Sequence, residues 1–162
     1  MQTIKVLPMN EKSFAPFGEV IDFNRDMSFT INDGMCKRYH GIAQTDVNAE
    51  GGKAIISLFR ATPYEMPLFL KMMERHPLGS QAFIPLQSNP YLVIVAPDEN
   101  GKPGTPIAFI TEERQGVSYN RNVWHAVLTP ISAPSDFAVV DREGSGNNLE
   151  EYFFEKPYTI NM

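Results

Sequence analysis

Apolar and polar residues alternate along most of this chain in short runs bounded by turn residues, the pattern of half-buried β-strands. The runs are Gly18–Phe23, Arg38–Ala43, Lys53–Arg60, Leu68–His76, Gln81–Pro85, Tyr91–Ala96, Ile107–Ile110, Val117–Tyr119, Trp124–Leu128, Phe137–Asp141 and Glu151–Phe154, rich in Val, Ile, Phe and Tyr. Turn chemistry separates them at Asn32-Asp33-Gly34, Glu50-Gly51-Gly52, Pro77-Leu78-Gly79-Ser80, Asp98-Glu99-Asn100-Gly101 and Gly144-Ser145-Gly146-Asn147-Asn148. About ten short strands at this spacing predict an all-β antiparallel sandwich or barrel. The best helical signal is Asn10–Phe14, with Asn10 as cap and Pro16 and Gly18 as stops. No long segment of helical period exists, so crossover helices are not expected.

The 162 residues suit a single domain, 1–162, with one core. Fourteen Lys and Arg against 19 Asp and Glu give a net charge of −5. That balance argues against a nucleic-acid-binding surface. No apolar run reaches membrane-spanning length, and no secretory signal opens the chain, so a cytoplasmic protein is expected. One cysteine, Cys36, excludes an internal disulfide and a cysteine-based zinc site. The 11 Phe and 8 Met exceed what a small barrel interior easily absorbs, which points to an apolar dimer patch.

Candidate chemistry concentrates in two stretches. In Phe69–His76 (FLKMMERH), strand alternation puts Leu70, Met72, Glu74 and His76 on one face and Arg75 on the other. A carboxylate and an imidazole two residues apart can converge on one atom, and Gln81 returns toward them after the turn. Read alone, His76 is equally a turn-capping residue, but a carboxylate beside Leu70 and Met72 is costly unless paired or metal-bound. The second stretch, Gly116–Pro130, carries His125 in apolar company, which by itself reads as a core histidine bonded to a backbone carbonyl.

Together the two stretches resemble the paired signatures of the cupin superfamily, with Glu74 in place of the first histidine and Gln81 in place of the glutamate. Longer strings resemble the ureidoglycolate lyase family within it: Arg38-Tyr39-His40, Ile56–Ala61, Glu74–Pro85 (ERHPLGSQAFIP), Gln115–His125 ending RNVWH, and Asp136–Arg142. The resemblance covers roughly Phe17 to Arg142. It implies a cupin-type jelly-roll β-barrel with one or two short helices. It also implies a cytosolic homodimer that cleaves (S)-ureidoglycolate to glyoxylate and urea in allantoin degradation, with an associated divalent metal, often nickel. Zinc and manganese also suit two imidazoles, a carboxylate and an amide.

Such a cleavage needs a proton acceptor for the carbinol hydroxyl, a proton for the leaving nitrogen and a clamp for the carboxylate. Glu74, His76 and His125 are the candidate catalytic residues, and with Gln81 the candidate metal ligands. Arg60, Arg38, His40, Arg121 and Gln81 are candidates for substrate binding. Asp141 is expected to pair with an arginine. Two alternatives stay open: an amidohydrolase that releases ammonia from the same substrate, and a cupin that binds a small molecule without catalysis.

Overall fold

A computed structural model describes residues 2–162 of the chain. The elements run β1 (Thr3–Pro8), α1 (Glu11–Phe14), β2 (Gly18–Ile21), β3 (Phe29–Ile31), β4 (Cys36–Arg38), a 3-10 turn (Ala49–Gly51), β5 (Lys53–Ala61), β6 (Leu68–Arg75), β7 (Gln81–Pro85), β8 (Tyr91–Ala96), β9 (Asp98–Glu99), β10 (Lys102–Pro103), β11 (Ile107–Ile110), β12 (Gly116–Tyr119), β13 (Trp124–His125), β14 (Thr129–Pro130), β15 (Ser135–Glu143) and β16 (Glu150–Asn161). The helix is the expected one: Asn10 Oδ1 accepts the Ser13 N–H at 2.9 Å, and Phe14 is fully buried.

Six strands close into a ring, β11-β1-β16-β6-β13-β8 and back to β11. A second sheet, ordered β2-β12-β7-β15-β5, packs against the outside of that ring. The result is an all-β jelly-roll barrel of the cupin type. Two buried clusters follow from strand alternation. Leu92, Ile94 and Ala96 join Met73, Trp124 and Ile160 inside the ring. Tyr91, Val93 and Val95 point the other way and meet Phe83, Val117, Tyr119, Phe137 and Val139 of the second sheet. Strand β8 is therefore buried on both faces, which is why it reads as an unbroken apolar run.

Several boundaries differ from the sequence expectation. The first strand lies outside the expected set, and it pairs in parallel with both β11 and β16, so the ring is mixed rather than antiparallel. The strand expected over Arg38–Ala43 ends at Arg38. Its partner is Phe29–Ile31 in a hairpin turned by Asn32 and Asp33, both with positive φ. The strand expected over Trp124–Leu128 ends at His125, with a separate short strand beyond it at Thr129–Pro130, and Glu151–Phe154 belongs to a strand three times as long, Glu150–Asn161. Among the described residues no helix is long and apolar enough to cross a membrane.

Candidate active site

The functional cluster sits between the ring and the second sheet. On β6, Glu74 lies directly opposite His125 of β13 across the ladder, so the two side chains leave the same face of the ring. His76 follows one residue past the end of β6 and shares that face. One part of the expected alternation does not hold. Leu70 and Met73 both point into the ring, so parity changes between them. At the same level the register of β16 against β6 shifts between Phe153 and Tyr158. Glu74 thus shares its face with His76 but not with Leu70. Arg75 takes the opposite face, with its guanidinium 4.4 Å over the Trp124 ring and bonded to Asp98 and Glu150.

Ligating atoms of Glu74, His76 and His125 all lie within 4.8 Å of one another, and His76 Nε2 is 3.8 Å from Glu74 Oε1. Each imidazole is fixed by its other nitrogen. His76 Nδ1 is 2.8 Å from the Asn148 carbonyl oxygen, and His125 Nδ1 is 3.0 Å from that of Ala126. A carbonyl only accepts, so Nδ1 carries the proton in both, and in the neutral ring Nε2 is the atom that presents a lone pair. Both Nε2 atoms are buried without a hydrogen-bond partner. Gln81 is set in the same manner: its Nε2 donates to Asp141 Oδ2 at 3.1 Å, which leaves the buried Oε1 unpartnered. Asp141 therefore serves this amide and no arginine, contrary to the expected ion pair.

Burial shapes the charges. The Glu74 carboxyl is raised above its ordinary range, chiefly by burial and slightly by Glu151, with His76 opposing. The His125 imidazole is pushed down to about 3, first by burial and then by the nearby His76. It stays neutral in the folded protein at ordinary pH. Tyr119, whose hydroxyl is raised by burial and by Glu74, lies flat on the His125 ring.

Three orphaned acceptors, two imidazole and one amide, beside a carboxylate form an N/O donor set that fits a divalent transition metal. An unmet buried acceptor is costly, and a cation held by Glu74, His76 and His125 would satisfy both imidazole nitrogens. A cavity of about 420 Å³ opens over the cluster, lined by Glu74, Gln81 and His125 with Phe59, Phe83 and Arg60 among its walls.

The remaining candidates lie elsewhere. Arg60 reaches the cavity rim, where Asp136 takes its Nε and Nη2 at 2.9 and 3.1 Å. Arg121 bonds Asp46, which exchanges two further bonds with Ser80. Arg38 lies over the Phe29 ring and His40 packs against the same ring, away from the cavity lining. Asn148, Tyr119 and Asp141 are the contributors that alternation and spacing do not assign to the site. They come from strands and loops distant in sequence, so no local pattern marks them.

The sequence profile of the ureidoglycolate lyase family matches residues 1–161. Ureidoglycolate lyase of Chelativorans sp. is 54% identical over 162 residues, covering 100% of this chain and 98% of the relative. Ureidoglycolate lyase 2 of Rhizobium meliloti is 54% identical over 160 residues, covering 99% and 98%. The Mesorhizobium japonicum ureidoglycolate lyase is 49% identical over 162 residues, covering 100% and 99%. With its whole length matched and its fold agreeing, this chain belongs to the ureidoglycolate lyase family.

Proposed function

We propose that this chain cleaves (S)-ureidoglycolate to glyoxylate and urea, a carbon–nitrogen lyase reaction of allantoin-derived nitrogen use in the cytoplasm. The observation that carries the reading is the convergence of Glu74, His76 and His125, with two bare Nε2 atoms, beside a cavity of small-molecule size that Glu74 and His125 line.

In the reaction the carbinol O–H proton leaves, its electron pair forms the carbonyl, and the C–N bond breaks toward the urea nitrogen, which gains a proton. His76 is the acceptor for the hydroxyl proton, because its Nε2 is bare and a proton there is stabilised by Glu74 Oε1 at 3.8 Å. Glu74 relays that proton to the leaving nitrogen. His125, enclosed and neutral, orients the substrate oxygen and does not titrate. Arg60 is the one cation among the cavity's lining residues. Asp136 uses its Nε–Nη2 edge, so the Nη1 side stays free to grip a carboxylate. Arg38, His40 and Arg121 have no part in this scheme. Glu74, His76, His125 and Gln81 would hold a divalent ion such as nickel, zinc or manganese. When bound, that ion supplies Lewis acidity and orientation at the carbinol oxygen.

The active form in this proposal is a homodimer joined through the outer face of the second sheet. Ile56 and Leu58 there are 79% and 76% exposed, an apolar pair that water disfavours. Light scattering at micromolar concentration should give twice the chain mass, and a monomer would remove this part of the proposal. For the reaction, purified protein is given racemic ureidoglycolate and the products are assayed. Urea and glyoxylate in equal amounts support the lyase. Ammonia in place of urea makes it an amidohydrolase, and no product leaves a binding cupin.

A further inference from the structure

The loop Gly144–Asn148 lies far from the cluster in sequence, yet it supplies the one atom that decides which nitrogen of His76 faces the site. The two site histidines differ here. His125 donates Nδ1–H to the carbonyl of its own chain neighbour, Ala126, a bond that follows the strand wherever it goes. His76 donates instead to Asn148 O, 72 residues away, at 2.8 Å. That carbonyl is itself held in place, since Asn148 Oδ1 accepts the Leu78 N–H at 2.8 Å, two residues beyond His76. One asparagine therefore clasps the His76 turn twice, once through its backbone and once through its side chain.

The loop is anchored from its other end too. The Arg142 guanidinium donates to Ser145 O at 2.7 Å and to Ala49 O at 2.8 Å. Gly146 adopts a φ of +89°, a left-handed backbone conformation that glycine takes without strain, where the loop lies against the turn. The Asn122 N–H donates to His76 O at 2.9 Å, which fixes the backbone but leaves the ring free to choose a tautomer.

We propose that Asn148 is a positioning residue: its clasp on the His76 turn locks the imidazole as the Nδ1–H tautomer, with Nε2 bare toward Glu74 and His125. The ring's second nitrogen commonly sets tautomer and ligand strength in this way. The effect on turnover rests on the lyase reading above, whereas the tautomer does not.

Long-range ¹H–¹⁵N spectra of the full-length, metal-free protein, at a pH where imidazole is neutral, read the tautomer directly. Wild type should carry its His76 proton on Nδ1. Asn148→Ala should mix the two tautomers, while Asn148→Asp, whose carboxylate still accepts from Leu78, should keep the wild-type pattern. Competition with a chromophoric chelator should give Asn148→Ala a roughly 10–100-fold weaker affinity for Ni²⁺ or Zn²⁺. Its kcat for urea release should fall with KM unchanged, and Asn148→Asp should recover both. The proposal is overturned by a His76 proton on Nε2 in wild type, a result that needs no variant to fold. It is equally overturned by an Asn148→Ala protein with wild-type tautomer and affinity, or by an Asn148→Asp protein as impaired as Asn148→Ala. A locked tautomer in a protein that releases no urea would leave the positioning intact and remove the lyase reading instead.

Discussion

The Tyr119 ring lies flat on the imidazole of His125, with centroids 4.3 Å apart and planes within 6°. The two residues come from different sheets, so this contact ties the second sheet to the ring at the site itself. Tyr119→Phe keeps the stack and should retain activity within about twofold. Tyr119→Ala removes it and opens a void beside His125. The expected loss is about 3–5 kcal/mol of stability by denaturant unfolding, with lower turnover in what remains folded. Equal activity in the two variants would mean the stack does nothing for His125.

His76→Ala and His125→Ala should each lower glyoxylate release by about 100-fold or more, the range expected when a proton-transfer or orienting group is lost. Glu74→Gln should do the same while leaving thermal stability level or higher, since it removes a buried charge. Retention of the wild-type rate in either histidine variant would take that residue out of the chemistry.

Arg60 tests substrate binding apart from stability. Its side chain is 82% exposed, and an ion pair as open to solvent as Arg60–Asp136 adds little to stability. Arg60→Ala should therefore unfold like wild type. Loss of a charge-assisted carboxylate contact should raise KM by roughly 10–100-fold. An unchanged KM would place the substrate carboxylate on another group.

Chelation should lower activity, and added nickel, zinc or manganese should restore it, with the best ion identifying the physiological one. The melting temperature should rise with ion concentration, because binding to the folded state alone is stabilising. In the Glu74→Gln, His76→Ala double variant that rise should vanish. Full activity after exhaustive chelation would make the residues alone sufficient.

Acid stability should depend on Asp98. Its carboxyl is held below the ordinary 3.8, first by the Gly101 N–H, then by the Trp124 indole N–H and by Arg75. The folded pKa lies below the unfolded one, so the contribution is complete above the unfolded value. It disappears as pH falls through the folded value. Asp98→Asn should destabilise the protein at neutral pH and show a shallower loss of stability below about pH 4. The single tryptophan, bonded to Asp98 Oδ1 at 2.9 Å, gives a fluorescence readout of the same event. Parallel stability curves for variant and wild type would show that Asp98 plays no part.

Much of the architecture is legible in the order of residues alone. Alternation marked Lys53–Arg60, Gln81–Pro85 and Tyr91–Ala96 within a residue of their observed limits, because pleating ties side-chain direction to local sequence. The turn at Asn32-Asp33-Gly34 is equally local, whereas the hairpin around it is made by the pairing of Phe29–Ile31 with Cys36–Arg38, which no alternation marks. Long strings such as ERHPLGSQAFIP carried the family, and the spacing of Glu74 and His76 carried half of the cluster.

The other half needed three dimensions. Glu74 meets His125 through the ladder register of β6 against β13, and that register depends on ring closure by β8 and β11, not on any neighbour in sequence. The face of Leu70 is likewise non-local, since parity along β6 changes where its pairing with β16, some eighty residues downstream, shifts register. Asn148 on His76, Asp141 on Gln81 and Tyr119 on His125 are contacts between segments that only sheet packing brings together. Residue order along the chain sets local direction and chemical type. Which lone pairs end up facing one another is set by strand register and loop closure, and those depend on burial summed over the whole molecule.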